Sequence, residues 1–416
     1  MTTQGTDKLG PLTSFRFFAA ISVVFYHFLR GADSGFSPFS RFHLLASYGA
    51  LGVAFFFILS GYILVYNYGG TLERAQRLNA RSFWWKRFAR IYPLFLFALI
   101  VSVPNRLLFD VQLHGVAGAL IRMPVTLLAN LLLVHAWYWH LNGGWNGPGW
   151  SLSAEAFFYL IFPSLLRGLA SIRDRDWKAA IAKSAGLLSL AALVMCAADC
   201  GLMALGDHDA RPWSGDARYF LTCNPIVNTT FFIAGMTLCL GGQRIRRQAP
   251  RASRWLNIVC GVVVLLGMAD IGFNYDFPGA IRTACASIFF SALILLGGGG
   301  GPAWISRLLS WSPLLLLGEA SYALYLLQFP VFHAFAQLWA AAGMRAYNPS
   351  ALSNSGFYAA YIAVLIAVSI LSYKCLEQPA RNFLQTRQPW SWRPVEGKMR
   401  EAAPVAEIAN DRQISR

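Results

Sequence analysis

Arg16 and His27 are two ionisable side chains inside one apolar run, LTSFRFFAAISVVFYHFLR, from Leu12 to Arg30. The run is long and apolar enough to cross a bilayer. Ionisable groups are costly in hydrocarbon and are usually retained there for chemistry or transport. Eleven residues at about 100° each return to within about 20° of the starting face and rise roughly 16 Å. The pair therefore shares one stripe of the helix, with one member near each membrane surface. That arrangement suits a substrate lying along the helix, its anionic end at the arginine and its reactive end at the histidine. With an ordinary pKa of about 6.5, His27 is a usable general base near neutral pH. The competing reading is a histidine bonded to a neighbouring helix, or an interfacial one beside Arg30.

Two further groups have suitable chemistry. Lys86-Arg87-Phe88-Ala89-Arg90 precedes Ile91-Tyr92-Pro93. Arg87 and Arg90 are three apart, so they face the same way on a helix. Two guanidinium groups together make a good phosphate clamp, although a basic run at a membrane edge also serves as a cytoplasmic anchor. Downstream, Trp150-Ser-Leu-Ser-Ala-Glu155-Ala-Phe-Phe-Tyr159 places a carboxylate just inside an apolar helix, with Tyr159 one turn on. Glu155 is expected either to orient His27, as the acid of a triad does, or to pair with a membrane arginine for structure. Tyr322, Tyr325 and Gln328 share a weaker polar stripe. Ser60 and Gly61 suit close helix packing. No histidines have metal-ligand spacing and the seven cysteines form no CxxC pair, so no metal is expected.

The elements that must carry these groups are membrane helices. Of the 416 residues, 56% are hydrophobic and only 13% charged, against roughly 25% charged in soluble domains. The formal charge of +16 falls in short clusters between apolar segments, which fits the positive-inside rule rather than nucleic-acid binding. The reading is an all-α integral membrane protein with no cleavable signal peptide. Candidate spans are Leu12–Arg30, Leu45–Tyr68, Ile91–Phe109, Met123–His140, Ser151–Leu166, Ile181–Leu205, Tyr219–Leu240, Trp255–Ile271, Ala280–Leu296, Trp311–Leu338 and Phe357–Cys375. Basic loops at Glu73–Arg90, Gln243–Arg254, Arg167–Lys178 and from Lys374 onward should be cytoplasmic. Residues 1–11 and 385–416 read as cytoplasmic tails, the second disordered, around a membrane domain at 12–384.

Those loops create a parity problem. The stretch from Ile91 to Leu166 starts and ends in the cytoplasm yet holds three apolar candidates. One must be re-entrant or interfacial, leaving about ten transmembrane helices with both termini inside. Asn142–Trp150 (NGGWNGPGW) is a plausible cavity rim, and Gly297–Pro302 (GGGGGP) reads as a flexible loop. There is no internal repeat of the kind seen in two-half transporters.

Taken in order, these segments resemble the acyltransferase 3 family of membrane O-acyltransferases. Arg16-x10-His27, FFFILSGYIL (Phe55 to Leu64), KRFARIYP (Lys86 to Pro93), WSLSAEAFFYLIFP (Trp150 to Pro163), SYALYLLQFPV (Ser321 to Val331) and LEQPARNF (Leu376 to Phe383) carry the resemblance over about residues 9–384. It implies transfer of an acyl group, most often acetyl from acetyl-CoA or another acyl-CoA, to a hydroxyl on a carbohydrate or glycoconjugate. It also implies a multi-pass protein of the bacterial inner membrane, in contact with membrane lipid. Many relatives carry a fused periplasmic hydrolase-like domain, which this sequence lacks. Gln328 stands where the family often has histidine. It can hydrogen-bond but cannot act as acid or base, so His27 is left as the main base.

On that resemblance, the CoA phosphates bind Arg16, Arg87 and Arg90 from the cytoplasm and the thioester reaches His27 along the first helix. His27 then deprotonates the acceptor or transiently carries the acyl group. Glu155 supports the imidazole, and the acceptor meets Trp145, Trp150, Tyr159, Tyr322 and Gln328. The competing class is a transporter or exporter of a glycoconjugate that uses His27 as a proton relay.

Overall fold

The computed structural model describes residues 9–29, 49, 51–69, 78–138, 141, 145–170, 222–273, 279–343 and 353–387, with isolated positions between 178 and 197. Among them the chain is all-α, with no strand. The helices are α1 Gly10–Leu29, α2 Gly52–Tyr68, α3 Ala80–Leu131, α4 Trp150–Ala170, α5 Pro225–Gln248, α6 Pro250–Phe273, α7 Gly279–Leu295, α8 Ala303–Leu309, α9 Ser312–Glu319, α10 Ser321–Ala341, α11 Ser353–Ser372 and α12 Gln378–Thr386. Among the described residues, five spans are long and apolar enough to cross a membrane, or up to seven when each of two bent pairs counts as one. The expected span Ile181–Leu205 lies almost entirely outside the described residues, as do the loops Gly31–Ser47 and Gly206–Arg218.

The expected spans Ile91–Phe109 and Met123–His140 belong to one element, α3, broken at Gly115, whose φ of 68° leaves the helical region. The break folds α3 back on itself. The Tyr92 hydroxyl donates to the Leu131 carbonyl at 3.1 Å, whereas a straight helix would hold residues 39 apart about 58 Å from each other. In the described residues that follow, 132–138, 141 and 145–149, short 3-10 turns at His135–Trp137 and Gly147–Gly149 replace the α-helix; His135, Ala136, Trp145, Asn146, Pro148 and Gly149 are buried, while Leu132, Val134, Trp137 and Tyr138 are exposed. Trp145 Nε1 reaches the Leu99 carbonyl at 2.9 Å. From there α4 runs antiparallel to the first half of α3, since Trp84 Nε1 donates to the Tyr159 carbonyl at 2.9 Å. These turns lie between the second half of α3 and α4, in the region where one of three apolar candidates was expected not to cross. Such backbone is tolerated at membrane depth when protein surrounds it.

Three other expectations change. Gln243–Arg254 is not a loop but the junction of α5 and α6, with Arg246 and Arg247 in the last turn of α5, where cations complement the helix dipole. Gly297–Pro302 does not form a loose loop; Leu296–Gly300 is a π turn, and α7 and α8 meet at 100° across it. The span Trp311–Leu338 is two helices bent by 58° at Ala320.

The core lies where α1, α2, the first half of α3, α4, α5 and α10 meet. Phe57, Phe83, Phe158, Phe162 and Phe232 pack in edge and stacked contacts between 4.9 and 6.3 Å. Helix association inside a bilayer depends on close packing rather than water exclusion, and small residues permit it. Gly61 on α2 lies against the Phe232 carbonyl, and Gly235 on α5 against the Ile58 carbonyl. The second half of α3 and the outer face of α6 turn apolar side chains outward, with Ile121 73% and Leu265 68% exposed, as lipid-facing surfaces do.

Candidate active site

Arg16, half-buried on α1, lines a cavity of about 230 Å³ with Arg87 and Arg90 from α3, Glu155 and Tyr159 from α4, Glu319 from α9 and Tyr322 and Tyr325 from α10. Local anchors aim the α3 arginines. Asn79 caps the helix by accepting from the Ser82 amide at 3.2 Å. Trp84 Nε1 is held as above, and Trp85 Nε1 donates to the Leu384 carbonyl at 2.8 Å. Tyr322 donates to the Ile91 carbonyl at 2.7 Å, which ties α10 to α3 beside Arg90.

The Arg87 guanidinium sits among three rings, 5.9 Å from Tyr68, 5.7 Å from Phe83 and 5.9 Å from Tyr159. Its Nη2 reaches the Tyr68 hydroxyl at 3.4 Å, while its buried Nε has no hydrogen-bond partner. Around the cavity Arg16 and Arg90 feel Glu155, Glu319 and Glu377. Yet no ion pair within 4.0 Å joins Arg16, Arg87 or Arg90 to any of these carboxylates; the pair formed among the described residues is Arg106–Asp110. Three guanidinium groups thus share one cavity, walled largely by apolar side chains, without an ion pair to a carboxylate, which leaves them able to meet a multivalent phosphate.

His27 lies at the other end of α1 and does not line this cavity. Its Nδ1 is 2.9 Å from Gln328 Oε1. Gln328 is fully buried, and its Nε2 donates to the Tyr325 carbonyl at 2.7 Å, which fixes the amide with Oε1 toward the histidine. Nδ1 must then carry the proton, leaving Nε2 as an open lone pair. Tyr361 also donates to the Gln328 carbonyl at 2.9 Å. The ring packs edge-on against Phe329 at 5.1 Å, and the residue remains exposed.

The expected contact of Glu155 with His27 is not made. Glu155 accepts from the Tyr159 hydroxyl and faces the arginines, because α4 reaches the level of Arg16 rather than that of His27, eleven residues along α1. Trp145 is buried with its indole committed to Leu99, and Trp150 packs edge-on against Phe57 at 6.0 Å; neither lines the cavity, whereas Tyr159 and Tyr322 do. Glu319, Glu377 and Tyr68 were not anticipated. A carboxylate bracketed by apolar sequence was the available signal for Glu319, whereas Glu377 lies between Lys374 and Arg381 in LEQPARNF.

Tyr325 connects the two halves of the site. Its ring lines the arginine cavity, its hydroxyl meets Ser151 Oγ at 2.9 Å and the Pro148 carbonyl at 3.1 Å, and its carbonyl holds the amide that orients His27.

The sequence is similar to known acyltransferases along most of its length. It is 27% identical over 396 residues to acyltransferase MdmB of Streptomyces mycarofaciens, covering 93% of this chain and 95% of the relative. It is 28% identical over 402 residues to the putative peptidoglycan O-acetyltransferase YrhL of Bacillus subtilis, and 26% over 349 residues to the peptidoglycan O-acetyltransferase OatA of Listeria monocytogenes. These alignments take 91% and 79% of this chain but only 56% and 50% of the relatives, so the chain spans about half the length of each. No solved structure matches. The acyltransferase domain that defines the acyltransferase 3 family matches residues 12–374, a stretch that holds both the arginine cavity and His27; this chain belongs to that family of membrane acyltransferases.

Proposed function

We propose that this protein transfers an acyl group, acetyl from acetyl-CoA in the simplest case, to a hydroxyl of a carbohydrate or glycoconjugate on the extracytoplasmic side of the bacterial inner membrane. The observation that carries the reading is the convergence of Arg16, Arg87 and Arg90 on one cavity with no ion pair to the surrounding carboxylates. The residues fit the polyphosphate end of an acyl-CoA. The O-acetyltransferase names of relatives matched over most of this chain support an acetyl group and a glycan acceptor.

A bound acyl thioester supplies an activated carbonyl and a thiolate leaving group. Arg16, Arg87 and Arg90 hold its phosphates at the basic, cytoplasmic side. Tyr322 and Tyr325 shape the wall toward His27. Nε2 of His27 takes the proton as the acceptor oxygen forms its bond to the carbonyl carbon and the carbon–sulfur bond breaks. The proton then passes to the departing thiolate, which restores neutral histidine. Gln328 holds the tautomer through Nδ1. With both termini cytoplasmic, Arg16 and Arg90 face the donor pool.

The test is turnover of labelled acetyl-CoA by purified protein in detergent, with and without peptidoglycan fragments and simpler glycans as acceptors. Loss of the general base in His27→Ala should reduce kcat by about 10²- to 10⁴-fold with little change in donor binding. Arg90→Ala should act mainly through the donor KM, raising it about tenfold. Failure of the wild-type protein to bind any acyl-CoA would sink the donor assignment.

A further inference from the structure

Helix α10 carries a proline in its interior, Pro330. Proline has no backbone N–H, so the helix cannot donate from that position to the carbonyl four residues back, which is that of Leu326. Leu326 is fully buried, and a buried carbonyl without a donor is costly. The missing donor comes from outside the helix. Asn146, 180 residues away in the chain, donates from Nδ2 to the Leu326 carbonyl at 2.9 Å. Its Oδ1 is buried and meets no donor, so that one bond holds the side chain.

The bond seats a turn. Asn146 precedes the 3-10 turn Gly147–Gly149, and the Gly149 amide donates back to the Asn146 carbonyl at 2.8 Å. The Pro148 carbonyl accepts from the Tyr325 hydroxyl at 3.1 Å, a second tie to α10. Between these ties Gly147 lies against Phe329: a Cβ at Gly147 would stand 3.2 Å from Phe329 Cε2. Phe329 is the ring packed edge-on against His27 at 5.1 Å, and it follows Gln328, whose Oε1 meets His27 Nδ1. The turn therefore backs the ring that flanks the histidine, while Gln328 fixes its proton.

We propose that Asn146 is a positioning residue for His27. It takes the carbonyl that Pro330 frees, which holds the turn against Phe329 and Phe329 against the imidazole, and so sets where Nε2 points. The proposal rests on the reading of His27 as the base. The proline opens an acceptor at one level of α10, and the asparagine brings a distant turn to that level. Without the tether Gly147 withdraws and the Phe329 ring gains room beside His27. A general base tolerates little such displacement from its productive geometry.

The experiment measures kcat, donor KM and apparent melting temperature in detergent for wild type, Asn146→Ala, Pro330→Ala, the double variant, Gly147→Ala and His27→Ala. Asn146→Ala leaves the Leu326 carbonyl unpaired and should lower the melting temperature by roughly 2–4 °C. It should lower kcat by roughly 5- to 20-fold, with the donor KM within about twofold of wild type. Pro330→Ala returns an N–H to that carbonyl. In its background Asn146→Ala should therefore cost less than about 1 °C, yet the loss of kcat should persist because the turn is still untethered. A purely structural role predicts otherwise. Wild-type kcat in folded Asn146→Ala, or a loss of kcat that disappears together with the loss of stability, overturns the proposal. Should Asn146→Ala or Pro330→Ala fail to fold, Gly147→Ala decides: it keeps the Asn146 bond but displaces Phe329, and must lower kcat roughly threefold or more at unchanged KM. Wild-type kcat in His27→Ala overturns the base reading. Loss in His27→Ala beside wild-type kcat in folded Asn146→Ala and Gly147→Ala overturns the positioning proposal alone.

Discussion

Gln328 is where side-chain chemistry departs most from expectation. At the sequence level it was a group unable to act as acid or base, standing where the resembled family often has histidine. In the fold it is the partner of His27 Nδ1, 301 residues away in the chain, and its own amide is pinned by Tyr325. An amide oxygen can fix a tautomer as a carboxylate does, without adding charge to a buried site. Gln328→Ala should therefore lower kcat about tenfold through loss of that orientation while leaving the donor KM nearly unchanged. A fall in donor affinity instead, in steady-state kinetics over an acetyl-CoA series, would mean that Gln328 contacts the donor. Arg16 and Glu155 stood out as charges in apolar runs, and Arg87 and Arg90 by their spacing of three in a basic run. The pairing of Glu155 was not legible, because partner choice depends on how deep α4 sits beside α1.

Among the elements, helix existence was readable from apolar runs and helix breaks mostly were not. Gly115 is one case. Its φ of 68° turns α3 back on itself, and a Cβ there would meet nothing within 4 Å. With ψ at 174° the backbone lies in a region open essentially to glycine alone, so Gly115→Ala should cost about 1–3 kcal/mol of backbone strain, seen as a drop in melting temperature with activity retained. Gly235 is the contrast. A Cβ there would run into the Ile58 carbonyl where α2 and α5 cross. Gly235→Val should separate the helices and cost about 3 kcal/mol or more. The expected signs are loss of the monodisperse peak in size-exclusion chromatography and of activity. Equal thermal stability of the two variants would show that the α2–α5 crossing yields more easily than its geometry implies. The π turn at Tyr373–Glu377 left no periodicity signal, since it adds about one residue to a pattern that otherwise continues, whereas the glycine run at Gly297–Gly301 marked the break between α7 and α8.

For the molecule as a whole, hydropathy and charge clusters were enough to give an all-helical, multi-pass membrane protein, and family membership favours acyl transfer over transport. The basic clusters also gather in space. Arg246 Nη2 donates to the Tyr62 hydroxyl at 3.2 Å, on the stretch of α2 whose Ser60, Ile63 and Leu64 line the arginine cavity. The α5–α6 junction and the α3 arginines therefore share one membrane side. If that side is cytoplasmic, a cysteine placed at exposed Arg251, with Cys285 and Cys375 replaced by serine, should react with a membrane-impermeant maleimide in inverted vesicles but not in intact cells. Labelling in intact cells would reverse the orientation and move the donor site to the wrong side for cytoplasmic acyl-CoA.

Membrane class, the number of basic clusters and the identity of the charged residues followed from composition and order, because transfer into hydrocarbon penalises each residue largely independently of its neighbours. The meeting of Arg16 with Arg87, Arg90 and Glu319, the fold-back of α3 at Gly115 and the bond between His27 and Gln328 depended on packing. Each joins segments distant in the chain, and only the relative depth and rotation of packed helices decides which side chains face the same space.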